Sequence, residues 1–85
     1  MTVKWRKSFT KDINKLSQKQ KTAWYKAWLL FRHNAHHIKL RRHKLKGSYE
    51  GLESIDVSPN FRALFVENKN YYVFYYLRNH NQLYS

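Results

Sequence analysis

The stretch Tyr71-Tyr72-Val73-Phe74-Tyr75-Tyr76-Leu77 constrains the fold more than any other part of the sequence. It runs seven residues with high β-propensity and no polar break, so neither of its faces suits open water. It predicts a central strand covered on both sides, and the rest of the chain must supply the cover. The period of two continues upstream. Leu52 to Val57 reads as a strand with Ile55 and Val57 on one face and Ser54 and Asp56 on the other. Phe61 to Glu67 reads as a second, with Phe61, Ala63 and Phe65 on one face and Arg62, Leu64 and Val66 on the other. Ser58-Pro59-Asn60 and Asn68-Lys69-Asn70 are turns between them. The three strands make an antiparallel meander.

The first half has a helical period. Ser17 and Gln20 stand at capping-box spacing. Ala23, Trp24, Ala27, Trp28, Phe31, Ala35 and Ile38 then recur at three- and four-residue steps, the apolar face of a helix of about five turns. Both tryptophans therefore belong to a core rather than to a base-stacking surface. A shorter helix containing Ile13 and Leu16, capped by Thr10, precedes it. Val3 to Phe9 alternates apolar and basic residues as a short first strand does. The order is N-terminal strand, helical hairpin and three-stranded meander, an α+β fold whose two helices cover one sheet face. Residues 39–47 form a basic connector near the other, partly open face.

A chain of 85 residues is expected to be one domain, 1–85. Its core must be small, and an aromatic content of 18% helps to fill it. Without cysteine there is no disulfide framework and no thiolate metal site. The longest apolar runs fall well short of the ~20 residues of a membrane span. No apolar stretch follows the charges at the N-terminus, so no signal peptide is expected and a cytoplasmic location is.

Charge narrows the function. The chain carries 17 Lys and Arg against 5 Asp and Glu, a formal +12. Residues 1–49 hold fourteen of the basic residues and a single acid, Asp12. Self-repulsion on this scale points to a polyanionic partner, nucleic acid before membrane surface. Arg41, Arg42 and Lys44 in the connector are the expected RNA-contacting residues. No P-loop, dinucleotide fingerprint, zinc-finger spacing or Ser-His-Asp set is present. His33, His36 and His37 lie at one turn's spacing near a helix end, where imidazoles are favourable without a metal. No metal or cofactor is expected.

Three segments then carry a resemblance. His43-Lys44-Leu45-Lys46-Gly47 precedes the meander, Phe61-Arg62-Ala63-Leu64-Phe65 lies within it, and His80-Asn81-Gln82-Leu83-Tyr84 follows it. In these segments and their order the chain resembles the RelE/ParE superfamily of toxins from type II toxin–antitoxin systems. The likeness runs over nearly the whole chain. It implies the RelE-like two-layer fold and an acidic antitoxin protein as partner in a hetero-oligomer. In the RelE-like branch it also implies ribosome-dependent endoribonuclease action on mRNA, which inhibits translation. The ParE-like branch poisons DNA gyrase instead, and a degenerate RNA-binding module is a further alternative.

Metal-independent RNA cleavage has the 2′-hydroxyl attack the neighbouring phosphorus. It needs a base for that hydroxyl, cations around the phosphorane and an acid for the leaving 5′ oxygen. The residue types are present: His43 and His80 for proton transfer, Lys46 and Arg62 for charge, and Tyr84 for stacking or a proton. Against these roles, His43 is also one more polar residue in a basic run, Arg62 can pair with Asp56 across the hairpin, and His80 and Tyr84 can simply pin the tail. Asp56 and Asn60 depart from the resemblance, since one branch has His and Asp there. Asp56 is a candidate base, or a charge that repels phosphate.

Overall fold

The structure is a computed structural model that describes residues 1–84, with Tyr84 described by its backbone alone. Strand β1 (Thr2–Trp5) leads into helices α1 (Lys7–Asn14) and α2 (Gln18–His33). A 3-10 turn at Ile38–Leu40, strand β2 (His43–Lys44) and a second 3-10 turn at Gly47–Tyr49 make up the connector. Strands β3 (Glu53–Ser58), β4 (Phe61–Asn68) and β5 (Tyr71–Asn79) form the meander, and helix α3 (His80–Tyr84) follows. The sheet has five strands in the order β1-β5-β4-β3-β2. All its pairings are antiparallel except β1 with β5.

The expected α+β order therefore holds, with α3 added after the meander and two further changes in the sheet. The connector contributes an edge strand, β2, and the N-terminal strand pairs in parallel with the last strand of the meander. The long apolar run is an inner strand as its composition requires. It carries a bulge: Leu64 pairs with Tyr76 and Phe65 with Phe74, leaving Tyr75 without a partner on β4. The extra residue places Phe74 and Leu77 in the same core. The Tyr75 carbonyl accepts a hydrogen bond from the Ser8 hydroxyl.

Phe74 is the centre of that core. Rings of Trp5, Phe9, Trp24, Trp28, Phe31 and Phe65 surround it with centroids 5.2 to 6.1 Å away. Clustered aromatic side chains give a short chain much of its buried area. On the opposite face Leu45, Leu64 and Val73 are buried outside the helix-facing core. Here the connector lies over the sheet, its Leu45 amide bonded to the Leu52 carbonyl at 2.9 Å.

Two helix boundaries differ from the sequence reading. Thr10 lies inside α1, whose N-cap is Arg6 with no side-chain cap. The Arg6 amide donates to the Phe74 carbonyl at 3.0 Å, so the strand ladder passes directly into the helix. Burial of Phe9 against the sheet fixes the start that a cap would otherwise fix. The capping box of α2 is formed: the Gln20 amide donates to Ser17 Oγ at 3.2 Å and the Ser17 amide to Gln20 Oε1 at 2.8 Å. That helix ends at His33, before Ile38. Asn34 is extended, and its Oδ1 accepts the His36 amide at 3.0 Å. A local side-chain turn of this kind competes with helix continuation. Ala35 still packs on the core, but Ile38 is 85% exposed.

Candidate active site and nucleic-acid interface

The site is set by how the connector enters the sheet. Arg41 ends the first 3-10 turn in the left-handed region, φ 47° and ψ 45°. Its carbonyl lies 2.9 Å from Nδ1 of His43, and His43 pairs with Ser54 on β3. Successive side chains of an extended segment point to opposite sides, so Arg42 and His43 have different fates. His43 is exposed at the sheet edge.

Arg42 turns inward. Its guanidinium meets Glu53, reaches Glu67 at 2.7 Å, and lies over the rings of Phe65 and Tyr72 at 5.0 and 5.8 Å. The Glu53 contact raises its pKa above the ordinary arginine value against the effect of burial, with Glu67 adding to it. With its side chain 8% exposed, Arg42 is a packing residue and cannot serve as the RNA contact expected from the sequence. Arg41, 72% exposed, and Lys44, on the exposed edge strand, remain available for that role.

Register lines up a row across the sheet: Asp56 on β3 faces Arg62 on β4, which faces Arg78 on β5. Arg62 Nη1 lies 2.7 Å from Asp56 Oδ1, an ion pair whose two atoms are buried and out of hydrogen-bond alignment. Arg41 Nε approaches the other carboxylate oxygen at 3.7 Å. Arg78 donates to Asp12 Oδ2 at 2.8 Å and to the Tyr49 hydroxyl at 3.1 Å, and stacks 4.2 Å above Tyr76. Burial opposes the charge on Arg78, and the Tyr49 and Asp12 contacts outweigh it, so its pKa is raised. The strand read from the sequence stops at Leu77, whereas β5 runs on to Asn79, so Arg78 is missed. Alternation counted on from Tyr76 is the signal that places it beside Arg62.

A groove of about 430 Å³ joins the connector to the C-terminal helix, lined by His43, Lys46, Tyr49 and Leu83 among others. His80 opens that helix. Its amide donates to the Asn60 carbonyl at 3.1 Å, and its side chain is exposed. The helix exists because Asn79 and Gln82 exchange side-chain-to-amide bonds, both 2.8 Å. The Asn-x-x-Gln spacing is a legible signal for it. The structure thus brings His43 and Lys46 to one groove with α3, and Arg62 into the adjoining row. The side chain of Tyr84 lies outside the described residues.

Among the described residues, no lysine takes part in an ion pair; the pairs that form use arginine. Lys4 lies over the Tyr71 ring at 4.4 Å. No three His, Cys, Asp or Glu side chains among the described residues are placed to hold a metal ion. No helix among them is long and apolar enough to cross a membrane.

The architecture is the RelE-like toxin fold. The chain is similar to the crystal structure of YafQ from Escherichia coli, with TM-score 0.77 at 19% identity over 98% of this chain and 97% of YafQ. A YoeB/ParE toxin from Agrobacterium tumefaciens matches with TM-score 0.70 at 14% identity, over 94% of this chain and 99% of that one. The RelBE2 toxin–antitoxin complex of Mycobacterium tuberculosis matches with TM-score 0.63 at 18% identity, over 93% and 96%. No family model matches the sequence, and no curated protein does. What the chain shares with these structures is the fold over nearly its whole length.

Proposed function

We propose that this chain is the toxin of a type II toxin–antitoxin system and acts in the cytoplasm as a metal-independent endoribonuclease that cuts mRNA on the ribosome. The observation that carries the reading is the junction of two features. A groove holding His43 and Lys46 lies against α3, which begins at His80, and the row Asp56, Arg62 and Arg78 crosses the adjoining sheet face. In this mechanism the RNA backbone lies along that face. One histidine takes the 2′-hydroxyl proton and the other protonates the leaving 5′ oxygen. Arg62 and Lys46 stabilise the charge that develops on the phosphorane. Tyr84 is assigned to stacking on a base next to the cut. Arg41 and Lys44 hold flanking phosphates. The solvent-facing lysines suit ribosomal RNA, and an acidic antitoxin covers the same surface when the toxin is silent.

The test is to induce the protein and map 5′ ends of cellular mRNA. Cuts within translated frames are expected. Intact mRNA with broken DNA would replace this reading with gyrase poisoning, and harmless expression with intact RNA would leave a degenerate binding module.

A further inference from the structure

The guanidinium group of Arg62 already has an anion beside it. Asp56 sits between two guanidinium groups, with Oδ1 2.7 Å from Arg62 and Oδ2 3.7 Å from Arg41. Arg62 is 16% exposed, so its charge is largely removed from water and requires an anion beside it. Yet this contact is not an aligned hydrogen bond, and the facing atoms of both partners are otherwise unsatisfied. A pair held by charge without directed bonds gives way to a ligand that supplies both. A phosphodiester does so, because its tetrahedral oxygens accept the bidentate donation for which guanidinium is shaped.

Two further observations point the same way. Arg41 stands beside Asp56 at the end of the 3-10 turn, in a left-handed backbone conformation, with its exposed side chain 3.7 Å from the carboxylate and open to an incoming ligand. Asp56 also borders a groove of about 600 Å³ whose lining includes Lys19, Lys26 and Lys39 and no other acid. Removing this single carboxylate would leave the three lysines as the only charged groups among those lining residues.

We propose that Arg41 and Arg62 form a phosphodiester-binding site that Asp56 fills as an internal stand-in for phosphate, so that RNA binds by displacing the Asp56 carboxylate. The role is regulatory: Asp56 stabilises the empty site and lowers its affinity for free RNA. This rests on the ribonuclease reading for the identity of the RNA, but it concerns binding and can be read without cleavage. It also assigns Asp56 a function other than that of catalytic base.

The experiment measures binding of a 2′-O-methyl single-stranded RNA, which cannot be cut, to the wild type, Asp56→Asn, Asp56→Asn/Arg62→Gln and Glu50→Gln. Glu50 is an exposed acid that follows the second 3-10 turn and controls for a general change in charge. Asp56→Asn is expected to bind roughly tenfold tighter, with a salt dependence steeper by about 0.7 in log–log slope, equivalent to one additional phosphate held. The double variant should lose that gain, and Glu50→Gln should show little of it. Because Asp56→Asn leaves Arg62 without its anion, its melting temperature should fall, and inorganic phosphate should raise it more than it raises that of the wild type. Unchanged or weaker RNA binding by Asp56→Asn would overturn the proposal, as would a gain that persists without Arg62 or a phosphate response equal to the wild type's. Failure of the ribonuclease reading would show instead as uncut mRNA on induction, whatever these affinities are.

Discussion

Arg42 meets Glu53 side-on, with Nε to Oε1 and Nη2 to Oε2 both 2.9 Å, two parallel charge-assisted bonds from a residue next to the exposed His43. Removing one partner of a largely buried pair leaves the other uncompensated, at a cost of about 3–5 kcal/mol. Arg42→Ala should therefore lower stability by that order in urea denaturation. Arg42→Lys should recover only part of it, since an ammonium cannot form the parallel bonds. A wild-type unfolding midpoint for Arg42→Ala would show that the pair contributes nothing. The pH dependence follows from Glu67, whose pKa is held below the ordinary carboxylate range, chiefly by its hydrogen bond from Arg42. A depressed folded-state pKa adds stability that is present above the unfolded value, about 4.3 for glutamate, and lost as pH falls through the folded one. The acid limb of the stability profile should be shallower in Arg42→Ala.

Catalysis and binding should separate. Arg62→Ala, His43→Ala and His80→Ala are each expected to reduce single-turnover cleavage of mRNA on programmed ribosomes by about a hundredfold to ten-thousandfold. Circular dichroism and ribosome affinity should stay close to wild type for the two histidine variants. Three variants cutting at the wild-type rate would place the chemistry elsewhere.

The cationic surface should act through Arg41 and Lys44. Reversing both charges should weaken RNA binding across sequences and flatten its salt dependence, by about 0.7 in log–log slope for each phosphate that is no longer held. Unchanged binding would shift the footprint to Lys19, Lys21 and Lys26 around α2. Arg42 is unsuitable for this test because its reversal would unfold the Glu53 pairing first.

The antitoxin should associate quickly and with marked salt sensitivity, because a chain of net charge +12 steers an acidic partner toward itself. Stopped-flow association rates should fall steeply between low and physiological ionic strength. A rate indifferent to salt would remove electrostatics from the encounter.

Much of this architecture was legible because its signals are local. The capping box at Ser17 and Gln20, the turns at Pro59 and Asn68-Lys69-Asn70, and the unbroken run at Tyr71 to Leu77 each act over a few residues, and the structure places elements there. What was missed depends on partners distant in sequence. Strand β2 is two residues long and exists because Ser54 and Glu53 are there to pair with it. Arg42 looks like its basic neighbours until Glu53, Glu67 and Phe65 are brought around it. The start of α1 follows from where Phe9 must lie, which no cap signal announces. Of the candidate site, the positions of His43, Lys46 and Arg62 were readable as motifs. The pairing of Arg62 with Asp56 was visible only as a hairpin register, and Arg78 only by carrying the alternation of β5 two residues beyond Tyr76.

The parallel pairing of β1 with β5 imposes an order on folding. Thr2–Trp5 finds its sheet partner only when Tyr71–Phe74 has been made, and the core ring Phe74 arrives with it. Segments so far apart along the chain come together late. Until β5 is in place, Trp5 and Phe9 have the rings of α2 but lack Phe74, and Arg62 lacks its neighbour Arg78. The sheet therefore closes, and Arg62 and Arg78 come side by side, only once β1 and β5 are both available to pair.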